Sequence, residues 1–197
     1  LNRLEKELDS GRCASRKSEV LRKRGEVFHT WAESRQGVES DVADRFASAI
    51  TDFSTVHKSL GQPTSQEQAA LLENVLSARV ATLLARGRWH ETRAKSLPTA
   101  ILLAVQDFKA ALADAPQRPE PRQRLTAIRD RALRDAQEAF ESAQQEQNHA
   151  AADDEYCRSE WLLSVVIASC LPREDDHFLR LAKLWRGLAR SSRRVPD

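Results

Sequence analysis

The chain has 197 residues and a net charge of only +2, from 31 basic against 29 acidic side chains. That is enough for one ordinary domain or one extended bundle and too little for two large ones. So balanced a total excludes attraction to nucleic acid or membrane through overall charge and leaves local patches as the electrostatic candidates. Three widely spaced cysteines, Cys13, Cys157 and Cys170, argue against a disulfide framework and for a reducing compartment, the cytosol.

With 6 Gly, a single Tyr and abundant Ala, Leu, Arg, Glu and Gln, the residue usage favours helix almost everywhere. The chain opens at Leu1 and contains no Met, which reads as one helical domain, 1–197, cut from a longer protein. Its first stretch, 1 to 24, carries eight basic residues, among them Arg12, Arg16, Lys17, Arg22, Lys23 and Arg24, against four acidic ones. Next, Val42, Phe46, Ala49, Phe53, Val56 and Leu60 recur at heptad steps, the signature of a narrow coiled-coil seam.

Gly61-Gln62-Pro63-Thr64-Ser65 ends that segment, with Thr64 or Ser65 available to cap the next helix. The second segment carries Leu97, Ile101, Ala104, Phe108 and Leu112 across Pro98, and Pro116 to Pro121, three prolines in six residues, closes it. In the third, Leu125, Ile128, Ala132, Ala136, Phe140 and Ala143 continue through Gln147, Ala150, Asp154, Cys157, Trp161 and Val165. These two corners define helix segments of about 1–60, 64–115 and 120–192. Softer interruptions at Gly11, Gly25, Gly37, Gly87, Pro98 and Pro172 either end helices or bend them.

Three long segments joined by two reversals predict an all-α fold, an elongated antiparallel three-helix coiled coil with kinked long helices. A compact α-helical bundle or repeat is the alternative. Exposed Trp31, Trp161 and Trp185 would call for a partner, so the rod is expected to form a homo- or heterodimer, with Trp161, Trp185 and Leu181 at the interface.

The number and length of these segments, and the stretch EAFESAQQEQNHAAADDEYCRSEWLLSVVIASCL followed by FLRLAKLW, resemble a BAR domain of the sorting-nexin type. Phe140-Glu141, Trp161, the aliphatic run after it and Trp185 carry the likeness. Pro172 and a short, weakly basic middle segment depart from it. The resemblance implies a dimeric scaffold that binds curved anionic phospholipid membrane, peripheral and endosomal within the cytoplasm. Its contacts would be the basic residues brought to one end, Arg12, Arg16, Lys17, Arg22, Lys23, Arg24, Arg118, Arg122, Arg124 and Arg129. A weaker resemblance, to tetratricopeptide-like repeats, rests on Leu84-Ala85-Arg86-Gly87-Arg88-Trp89 and on the stretch from Phe108 to Pro116, with no second copy evident in the sequence. It implies a soluble protein-interaction module without lipid binding.

Phe178 to Arg194 forms an amphipathic basic helix, through Leu181, Leu184, Trp185 and Leu188 with Arg180, Lys183, Arg186 and Arg190, which lies on a membrane or docks on its own bundle. His149 and Asp153 stand one turn apart but lack a matching set from a second segment, so no metal site is assigned. Cys157 and Cys170, on or near the apolar stripe, read as small buried hydrophobes. Neither a nucleophile elbow nor a phosphate-cradling glycine loop occurs, so no catalytic residue and no cofactor are expected. Nucleic acid is disfavoured because no aromatic residues interleave with the arginines.

Overall fold

The computed structural model describes the backbone of residues 13–34, 39–171 and 174–193 and the side chains of 17–34, 41–171 and 174–193. Among them are seven helices and no strand: α1 (Cys13–Glu33), α2 (Glu39–Leu60), α3 (Gln66–Arg93), α4 (Ala100–Asp114), α5 (Pro119–Gln145), α6 (His149–Ser169) and α7 (Asp176–Ser192). They form two compact units, one of residues 1–92 with 107–118 and the other of 93–106 with 119–197. Helix α4 contributes its second half to the first unit and its first half to the second.

Both proline corners end helices for the expected reasons. Gly61 adopts φ +53, the left-handed conformation that closes a helix at low cost only in glycine. Ser65 then caps α3, its Oγ accepting from Gln68 N at 3.2 Å, while the Gln68 side chain accepts from Thr64 N at 2.8 Å. At the second corner α5 starts on Pro119, whose missing N–H costs nothing in a first turn.

The long segments do not run through as single rods. Segment 1–60 folds back between α1 and α2, where Ser18 lies opposite Ser59 and Arg24 opposite Asp52. Segment 64–115 divides between Arg93 and Ala100 around Pro98, which leaves Leu97 exposed and begins the buried face at Ala100. Segment 120–192 reverses at 146–148, so that Ser159 Oγ donates to Ala136 O at 2.9 Å and Tyr156 meets Phe140 edge-on at 5.5 Å. That reversal contains neither Gly nor Pro. It is made by Asn148, whose side chain accepts from Ala150 N at 3.1 Å and starts a new helix in a new phase.

The new phase moves the seam. In α6 the buried positions are Ala152, Ser159, Leu162, Leu163, Val165, Val166 and Ser169, whereas Asp154 and Cys157 face solvent. Cys170 alone of that pair of cysteines is buried. Of the stripe expected in α2, Val42, Phe46, Ala49, Phe53 and Val56 are buried, and Leu60 at the helix end is half-buried against them.

Within the first unit the same device occurs twice. In α1 and α2, Arg24 forks onto the buried Asp52 at 2.7 and 2.6 Å, and next to it Gly25 faces the ring of Phe53. In α3 and α4, Arg86 forks onto the buried Asp107 at 2.9 and 2.6 Å, and Gly87 faces the ring of Phe108. A Cβ at Gly25 or Gly87 would lie 2.8 or 2.5 Å from the phenyl carbon opposite, so glycine is what lets each ring sit against the neighbouring backbone. The sequences agree around it: Ala49-Ile50-Thr51-Asp52-Phe53 beside Ala104-Val105-Gln106-Asp107-Phe108, and Phe28-His29 after one Arg-Gly where Trp89-His90 follows the other. An Arg-Gly pair and an Asp-Phe pair thus each occur twice in the same structural setting. Each buried phenyl contributes roughly 1.5–3 kcal/mol through the area it removes from water.

Candidate interaction surfaces

The basic residues singled out from the sequence are mostly occupied within the chain. Arg22 and Lys23 share Glu19, the latter pair at 3.4 Å, and Arg22 also reaches Glu26. The hydrogen bond from Arg22 holds the Glu19 carboxyl below its ordinary range. Arg24 is bound to Asp52, which raises its own pKa. Arg118 donates to Ser77 Oγ at 3.1 Å, Arg122 pairs with Glu174, and Arg124 is half-buried and engaged as well. Arg129 is buried; it holds Asp130 and Asp175 and lies with its guanidinium 4.0 Å over the Phe178 ring. Lys17 is exposed, Arg16 lies in α1 with its side chain outside the described set, and Arg12 lies outside the described residues. Arg16 to Arg24 and Arg118 belong to the first unit, and Arg122 to Arg129 to the second.

Asp175 ties the second unit together. Its Oδ1 takes Arg129 from α5 while Oδ2 accepts from Leu171 N at 2.9 Å, closing the turn between α6 and α7. One carboxylate thus serves two elements.

Two surfaces leave apolar material unpaired. In the first unit a groove of about 470 Å³ runs along α3, lined by Pro63, Leu72, Glu73 and Leu76, and by Asp114 and Arg118 near the second proline corner. In the second unit α7 buries Ala182 and Ala189 and half-buries Trp185, 6.4 Å from Phe140, while Leu184 and Leu188 stay 62% and 47% exposed. Arg190 and Arg193 bind Glu160 of α6 at 2.9 Å each and clamp the end of α7 down. The hydrogen bond from Arg190 holds the Glu160 carboxyl below its ordinary range, against the opposing effect of burial.

The residues expected at a dimer interface, Trp161, Trp185 and Leu181, are each half-buried in their own unit, as is Trp31. The side chains that α7 leaves outward are Leu184 and Leu188. The hydrophobic pattern already contained them, but only the docking of α7 through its alanines shows that they point away from the bundle. A second contact the pattern did not reveal is Arg45, stacked over Phe28 and Trp31 at 5.2 and 5.0 Å. Among the described residues no group of three His, Cys, Asp or Glu side chains converges, and no helix is long and apolar enough to cross a membrane. Comparison with family models, curated proteins and solved structures finds no match to this chain.

Proposed function

We propose that this protein is a non-catalytic helical interaction module, built from antiparallel helical hairpins, that docks other proteins through its surface. One observation carries the reading: Arg22, Arg24, Arg122 and Arg129, four of the arginines that would have to face an anionic surface, are spent on carboxylates of the same chain, while leucines are left facing out. A paired guanidinium offers little to a phosphate headgroup, because its charge is already neutralised nearby and its donors are taken. The duplicated Arg-Gly and Asp-Phe hairpin supports a repeat-like architecture over a rod of three continuous helices.

Membrane binding is the competing outcome. Co-sedimentation with vesicles of anionic lipid, against vesicles of zwitterionic lipid, separates the two. Equal and low pelleting in both is expected; enrichment that depends on anionic lipid would reinstate a BAR-like membrane role.

A further inference from the structure

Helix α7 is held to its unit by its two ends more than by its middle. Its fully buried residues are Ala182 and Ala189, with Phe178, Leu179, Leu181 and Trp185 half-buried, whereas α6 buries Leu162, Leu163, Val165 and Val166. A buried methyl removes far less area from water than a buried leucine, so the docked face contributes little for its length. At the start of the helix Arg129 of α5 reaches Asp175 and lies over Phe178, and Arg122 reaches Glu174. At its end Arg190 and Arg193 both hold Glu160 of α6, at 2.9 Å each. Between these latches the main ring contact is Trp185 with Phe140, their centres 6.4 Å apart.

Undocked, such a helix has little to keep it. At 17 residues it is close to the marginal length for a helix alone in water. Gly187 stands inside it, where an added Cβ would meet nothing within 4 Å, so this glycine lowers helix propensity without any packing that requires it. The first turn has no side-chain cap, because the Asp175 carboxylate is given to Arg129 and to Leu171 N. Docking and helix formation are therefore coupled, and loss of the latches is loss of the helix. The hairpin beneath has its own supports: Ser159 Oγ donates to Ala136 O, Tyr156 meets Phe140, and the four large aliphatic side chains of α6 are buried. We propose that α7 is a latched strap, which lifts and unfolds as one cooperative unit while α5 and α6 stay folded. Closed, this part of the molecule presents the outer side of α7. Lifted, it uncovers the faces of Phe140 and Glu160 that Trp185 and the two arginines meet.

Native-state hydrogen exchange of the whole chain, followed amide by amide by NMR, tests the strap. The amides of α7 beyond its first turn are expected to share one opening constant, about tenfold or more larger than that of the α5 and α6 cores. Glu160→Gln should raise that constant by a common factor of about two to five along the whole helix, with α5 and α6 unmoved, since the pair it removes is open to water on the arginine side. Gly187→Ala should lower the same constant by about two- to fivefold, again only in α7. Protection in α7 equal to that in α6 overturns the proposal. Exchange graded inwards from the helix end, or a Glu160→Gln effect confined to the last turn, is fraying and overturns it too. An equal change in α5 and α6 with either variant makes the three helices a single unit and leaves no strap.

Discussion

At the scale of single residues, the two Arg-Asp forks test how far burial sets the worth of an ion pair. Asp52 and Asp107 are equally hidden, with side chains 6% and 5% exposed, but Arg24 is 56% exposed and Arg86 only 24%. Water can replace Arg24 and cannot easily replace Arg86. Arg86→Met is therefore expected to cost about 2–4 kcal/mol, because it strands a buried carboxylate, and Arg24→Met about 1 kcal/mol. Urea denaturation of the two variants checks the order; equal losses would mean that the forks are not distinguished by solvent access. The glycines give a second contrast. Gly87→Ala should destabilise by about 1–3 kcal/mol by driving a methyl into Phe108. Gly187→Ala, in open space on a helix surface, should stabilise by about 0.5–1 kcal/mol. Melting temperatures moving in the same direction would contradict the packing described for Gly87.

Elements are held at their ends by single polar groups, and α7 shows this most clearly. Glu160 keeps its depressed pKa only while Arg190 and Arg193 are docked on it. A carboxylate whose folded pKa lies below its unfolded one adds stability that is complete above the ordinary value of about 4.3 and is lost as pH falls through the folded value. Acidification below about pH 4 should accordingly loosen α7, followed through the indole resonance of Trp185. Both arginines are largely exposed, so the whole contribution is small, about 1 kcal/mol at most. Glu160→Gln should remove the acid dependence of that signal while leaving the rest of the unit folded. The reversal between α5 and α6 depends likewise on Asn148: its change to Ala removes the cap and should cost about 1 kcal/mol, read as earlier hydrogen exchange in the first turn of α6.

For the molecule as a whole, α4 matters most, since one continuous helix serves two units. Ala100, Ala104 and Val105 are buried in its first half, which belongs to the second unit. A chain ended after Arg118 keeps every residue of the first unit but strips the cover from those three. Hydrogen exchange in that shortened chain should show 100–106 unprotected while 107–114 remains protected; protection throughout would show that α4 needs only the first unit.

The all-helical class, the two proline corners, the buried stripe of α2 and the amphipathic character of α7 follow from local chemistry, so the sequence alone determines them. A helix forms where propensity and period agree, and it stops where a glycine must go left-handed or a proline lacks its N–H. The hairpin at Asn148, the solvent-facing Cys157, the paired state of Arg122 and Arg129, and the outward turn of Leu184 and Leu188 were decided only by tertiary structure. The two arginines find their carboxylates far along the chain, and the facing of Cys157, Leu184 and Leu188 depends on which side of its helix another element covers. A period describes which side chains share a face, but which of two faces is covered, and which carboxylate an arginine meets, is settled when elements distant in sequence compete for the same contact.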